Sequence, residues 1–278
     1  MAIRKVILVH GFWHGSWCWS LVAEQLTRRG VQSVAVDMDG HGLKSQSPRS
    51  RWARPFDPAA FAAEPSPVTG VTASSAAETL VGQLTAIGGG EACVVVAHSM
   101  GGVVATAAAE LAPELFAHLV YVTAFAPVSG LPAGAYIASP ENDGSMVPGL
   151  LSADPAVIGA LRIDTGDRGR HPAIREAFYG DVDEDTATAA IALLGPDAPA
   201  GVPAQSFPVT RGRYGAIPHT YVTCAKDNTI PIPLQRRFIT EINAISRTPT
   251  TVVELDRSHS PFLSRPAPLA AAIAEACR

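Results

Sequence analysis

The sequence predicts an α/β fold with a doubly wound, mostly parallel sheet of about six strands. Three observations predict it. Short apolar runs at residues 5–10, 33–36, 92–97, 118–122, 219–224 and 250–255 alternate with segments of helical period. The stretch Ala97-His98-Ser99-Met100-Gly101-Gly102 joins one of those runs to a helix of small residues, so it reads as strand, sharp turn, helix. Finally, 278 residues with 47% hydrophobic and 17% charged side chains make an ordered globular chain long enough for one large α/β domain. In such sheets chemistry gathers at the carboxyl ends of the strands, which is where Ser99 falls.

The first run, Ile3 to Val9, is too short and wrongly flanked for a signal peptide or a membrane span, so a cytoplasmic protein without membrane association is the expectation. Helical segments follow at 17–29, 75–87, 100–111, 233–244 and 266–276. Two stretches interrupt the alternation. Residues 44–74 form a Pro- and Arg-rich insertion loop carrying Trp52 and Phe56, which either rides on the surface or closes as a flap over the site. Residues 127–217, with helical stretches at 155–161, 172–179 and 184–194, fall between two sheet strands. They read as a helical cap inserted before the last two strands, leaving 1–126 and 218–278 as the core. A cap narrows a site and excludes water from it.

The net charge is −4, and the basic residues are scattered except for Arg49, Arg51 and Arg54, which excludes a nucleic-acid footprint. Cys18, Cys93, Cys224 and Cys277 have no spacing that suggests a metal site or a disulfide framework, and Cys93 and Cys224 read as small apolar strand residues. Neither metal nor organic cofactor is expected. The expected partner is a small-molecule substrate, with a homodimer left open.

The pattern small-x-Ser-x-Gly between a strand and a helix is that of a nucleophile elbow, with Ala97 in the first small position, and it makes Ser99 the candidate nucleophile. A serine hydroxyl needs a base. His259, in Asp256-Arg257-Ser258-His259-Ser260-Pro261 just past the last strand, is placed for that role. His98 reads as packing or a local hydrogen bond, and His118, His171 and His219 as surface or satisfied core histidines. The imidazole in turn needs an acid, and Asp227 in the loop after the fifth strand leads over Asp256 and Glu254, since the order Ser99, Asp227, His259 is the nucleophile-acid-base order of such elbows. Two backbone donors must meet the oxyanion: the N–H of Met100, which follows the nucleophile, and that of Phe12 in His10-Gly11-Phe12-Trp13-His14-Gly15. Gly11 lets the backbone approach the site closely. Gly11, Trp13, Phe125, Met146, Phe178 and Tyr179 are the candidate pocket residues, while Trp17 and Trp19 read as packing for the first helix.

With those residues in hand, the chain resembles the α/β-hydrolases, and within them the plant methylesterase and hydroxynitrile lyase group, including salicylate-binding methyl salicylate esterase, with its bacterial carboxylesterase relatives. The likeness spans nearly the whole chain. It rests on His10 to Trp19, His98 to Gly102, Asp227 to Pro231 and Ser258 to Pro261. The resemblance implies a serine carboxylesterase acting on small to medium hydrophobic methyl, alkyl or aryl esters through an acyl-enzyme. The lyases of that group carry Thr where this chain has Gly11 and Lys where it has Ser260, so lyase activity is not expected. Thioesterase, lactonase, amidase and carbon–carbon hydrolase activities, and a hydrophobic small-molecule binding protein on the same scaffold, stay open at this stage.

Overall fold

The computed structural model describes residues 4–278; Ile3, at the head of the first apolar run, lies outside them. The strands in chain order are β1 (Val6–Val9), β2 (Ser33–Val36), β3 (Cys93–Ser99), β4 (Phe116–Ala124), β5 (Ala160–Arg162), β6 (Asp197–Pro199), β7 (His219–Cys224) and β8 (Thr251–Leu255). Six of them form one sheet in the order β2-β1-β3-β4-β7-β8, and every pairing is parallel. The order reverses at β1, so chain segments are wound in both directions from the centre, and the carboxyl ends of β1 and β3 open side by side.

Alternation along the strands divides the core in two, because successive side chains point to opposite faces. Ile7, Val9, Val95, Ala97, Leu119 and Tyr121 pack on one face with the helices Ala73–Gly88, Gly101–Leu111 and Ile232–Ile245. Val6, Leu8, Val94, Val96, Val120 and Val122 pack on the other with Ser20–Thr27 and Pro266–Glu275. Trp19 is fully buried there, against Phe262. Both faces of the central strands are thus dry, which is why they read as unbroken apolar runs.

The segment between β4 and β7 departs from an all-helical cap. The helix expected at 155–161 stops at Ile158, because Gly159 takes a left-handed φ of 74° and closes it. Residues Ala160–Arg162 then pair antiparallel with Asp197–Pro199 as a small two-stranded sheet outside the main one. His171–Tyr179 and Glu184–Leu193 are helices within a residue of expectation. The 44–74 insertion is not a bare loop either. It holds a turn at Arg49–Trp52 and a helix at Pro58–Ala63, whose N-cap Asp57 accepts from the amides of Ala59 and Ala60. It is anchored to this small sheet by Arg162, whose guanidinium donates to the carbonyls of Phe61 and Glu64. None of the helices among the described residues is long and apolar enough to cross a membrane.

Candidate active site

Three strand ends converge on the site, and each bends sharply there. Trp13 (φ 61°) follows β1, Ser99 (φ 53°) ends β3 and Thr123 (φ 36°) lies near the end of β4; they are the only non-glycine residues with positive φ among those described. Such conformations cost about 1–3 kcal/mol each and persist where the surroundings impose them. At Ser99 the cause is the sharp turn from a buried strand into the helix Gly101–Leu111.

Ser99 is 7% exposed and forms part of the wall of a cavity of about 440 Å³. Phe12, Trp13, Met100 and Phe125 line that cavity from the core, and Ile137, Val147, Leu151, Leu161 and Pro203 from the cap. The amides of Phe12 and Met100, which line this cavity together with Ser99, donate to no acceptor among the described residues. Buried N–H groups without partners are rare, so two on the wall that carries one serine are candidates for an anion site.

His259 and Asp227 meet through a 2.8 Å hydrogen bond from Nδ1 to Oδ2, both side chains being shielded from solvent. A carboxylate only accepts, so Nδ1 carries the proton and Nε2 keeps its lone pair. Asp227 Oδ1 accepts from the amides of Thr229 and Ile230, at 2.7 and 2.8 Å, and Oδ2 also accepts from the Thr123 hydroxyl. Gln235, wholly buried, holds this loop in place through Cys224 and the Ile230 carbonyl. Asp256 is exposed and pairs with Lys226 at 2.8 Å. Glu254 is exposed on the edge strand β8. The hydrogen bonds of His259 run to Asp227 and, from its own carbonyl, to His98; the ring makes none to Ser99. That last link of a relay commonly forms only with substrate in place.

Other histidines hold these groups. His98 Nε2 donates to the His259 carbonyl at 2.9 Å, and the two rings lie 4.5 Å apart. Burial pushes the His98 imidazole well below its ordinary range and that of His14 down to about 3, so both rings are neutral. A neutral His98 spares a protonated His259 from repulsion at close range. His14 donates from Nδ1 to the Phe12 carbonyl at 2.8 Å, and its Nε2 accepts from Tyr179 Oη at 2.8 Å.

Four expected pocket residues stand off the cavity wall. Tyr179 is fully buried and spends its hydroxyl on His14, bracing the Phe12 loop from behind. Phe178 packs between the rings of Trp13 and His259, with centroids 5.6 and 6.1 Å away. Met146 donates its amide to the Asn228 carbonyl and packs on the core beside the acid loop. Gly11 lies too close to the elbow to bear a side chain: a Cβ there would be 2.6 Å from Ser99 Cβ and 2.9 Å from His98 Nδ1. Trp13 and Phe125 do line the cavity, and Trp13 also ties core to cap by donating Nε1–H to the Leu161 carbonyl. Sequence reasoning missed Thr123, which carries no local signal of its position beside Asp227, and the bridging role of His14. No cluster of three or more His, Cys, Asp or Glu side chains among the described residues is arranged to hold a metal.

The sequence pattern that defines the alpha/beta hydrolase family matches residues 6–272. The chain belongs to that family. Among curated relatives, Methylesterase 7 of Arabidopsis thaliana is 26% identical over 301 residues, covering 98% of this chain and 95% of its own. Pyrethroid hydrolase of Sphingobium wenxiniae is 27% identical over 280 residues, covering 99% and 88%. Among solved structures, a pyrethroid hydrolase from Sphingobium faniae superposes with a TM-score of 0.76 at 22% identity, covering 99% of this chain and 98% of that one. At that identity the superposition speaks for the fold.

Proposed function

We propose that this ester-hydrolysing member of the family is a serine carboxylesterase for small to medium hydrophobic esters, with Ser99, His259 and Asp227 as its triad. His259 Nε2 takes the Ser99 proton as Oγ attacks the ester carbonyl, and Asp227 holds the imidazole in the tautomer that can do so. The negative charge that develops on the carbonyl oxygen is met by the Phe12 and Met100 N–H groups. Collapse expels the alcohol, which receives the proton from His259, and leaves an acyl-Ser99 ester. Water, deprotonated by His259, then releases the acid and restores the serine.

The observation that carries this reading is the pair of unengaged amides that share with Ser99 the wall of an almost wholly apolar cavity. An apolar wall favours esters whose acid or alcohol part is hydrophobic, and methylesterases and a pyrethroid hydrolase among the relatives agree with esters of that kind. The test is hydrolysis of methyl, alkyl and bulky aryl esters by wild type and Ser99→Ala. Turnover that falls by on the order of 10⁴-fold or more in the variant, with the fold intact by circular dichroism, is the expected result. A variant that retains wild-type turnover removes Ser99 from the mechanism.

A further inference from the structure

The third strained residue, Thr123, has a place in the site that no part of the triad scheme uses. β3 and β4 pair without interruption from Val94 opposite His118 to His98 opposite Val122, and then Ser99 stands opposite Ala124. Thr123 is the extra residue of a bulge directly beside the nucleophile. Bulges next to active sites serve to re-aim a side chain. Thr123 is fully buried, and a φ of 36° is a conformation that β-branched residues rarely adopt. A threonine that needed only to fill a strand would have no cause to adopt it.

What the bulge achieves is the direction of one hydroxyl. Thr123 Oγ1 donates to Asp227 Oδ2, the same oxygen that accepts His259 Nδ1–H. Asp227 Oδ1 is held by two backbone amides of its own loop. The carboxylate therefore has two donors on each oxygen, which fixes both its plane and its charge distribution. Of the four, the Thr123 hydroxyl is the only one that lies within a strand and the only one besides His259 from a side chain. Without it, Oδ2 would be held by His259 alone.

We infer that Thr123 is a positioning residue for the reaction, orienting Asp227 and sharing the negative charge of Oδ2 with His259. The inference rests on the triad reading above. Two consequences follow from its chemistry. Removing the donor loosens the carboxylate and with it the imidazole, so turnover falls. It also leaves more charge on Oδ2 for the protonated ring, so the imidazolium is favoured and the acidic limb of kcat/KM moves to higher pH. Of the other titratable groups facing the pair, four are held in one protonation state. His98 and His14 are kept neutral by burial, and Tyr221 and Cys224 on β7 are kept protonated by it. Asp181 is engaged by the Ser258 hydroxyl and faces Arg257.

The test compares Thr123→Val, which keeps the branched shape and removes the donor, with Thr123→Ser, which keeps the donor. The expected result for the valine variant is a kcat loss of about 10- to 100-fold with KM little changed. Its acidic limb should shift upward by about half a unit to one unit. Thr123→Ser should restore both. If the valine variant does not fold, Thr123→Ala is read against the serine variant in the same way. A valine or alanine variant with wild-type kcat and pH profile overturns the assignment, as does a loss without a limb shift that serine fails to rescue. Asp227→Asn in the same series separates the two readings: full activity there sinks the triad, whereas a severe loss there beside an indifferent Thr123→Val sinks only the role of Thr123.

Discussion

Asp256 lies close to His259 in the chain and Asp227 lies 32 residues from it, and their surroundings assign them different work. Asp227 is buried and saturated with donors, one of them His259; Asp256 is in solvent against Lys226. Asp227→Asn is therefore expected to lower kcat by on the order of 10⁴-fold, because the amide favours the wrong imidazole tautomer. Asp256→Asn should change it by no more than about twofold, since exposed ion pairs contribute little. Steady-state kinetics on one ester decide it, and the reverse pattern would reassign the acid. The candidate positions Ser99, Asp227 and His259 stand out in the sequence because each follows or ends a strand, and strand ends are marked by local patterns. The hydrogen bonds from His98 to the His259 carbonyl and from Thr123 to Asp227 span 161 and 104 residues. No local pattern carries them. Tyr179 shows the same limit in another form: an aromatic on a cap helix suggested the pocket, but its hydroxyl found a better partner in His14.

At the scale of elements, the core strands and helices were readable because each buries whole faces, and periodicity reports burial. The β5–β6 pair was not, since strands of three residues have no periodicity to show and exist through what they pack against. Its centre is Arg162, fully buried, which grips Asp197 through Nε and Nη2 at 2.6 and 2.7 Å and lies 4.9 Å over the Phe61 ring. The adjacent Leu161 lines the cavity and accepts from Trp13 Nε1–H, so this clamp also sets the shape of the substrate site. Arg162→Met strands the Asp197 charge in the interior and is expected to cost about 3–5 kcal/mol. Adding Asp197→Leu should return most of that stability. Urea unfolding of the single and double variants measures both. A single variant within about 0.5 kcal/mol of wild type would mean the charges are solvated in solution and the insertion is not held as described.

Across the whole molecule, six of the eight histidines have imidazoles pushed below their ordinary range, burial being the largest cause for each. His10, His14 and His219 fall to about 3, and His41 and His118 to about 4. His10 packs ring to ring with His41, and His14 with His98, while His118 and His219 sit on neighbouring strands of the sheet. In the unfolded chain each titrates near 6.5. Between that value and 3 to 4 the unfolded state therefore binds more protons than the folded one. The stabilisation from keeping these rings neutral is complete above pH 6.5 and is lost as the pH falls through that window, at about 1.4 kcal/mol per pH unit for each wholly buried ring and less for the partly exposed His118. With several rings acting together, urea midpoints should fall steeply from pH 7 to pH 5, before the carboxylates begin to titrate. A midpoint that stays level over that interval would mean that the rings take up protons within the native fold. The neutral imidazoles of His14 and His98, which keep positive charge away from His259, are among the rings whose protonation is expected to loosen the fold in mild acid, so packing that serves the site contributes to its acid sensitivity.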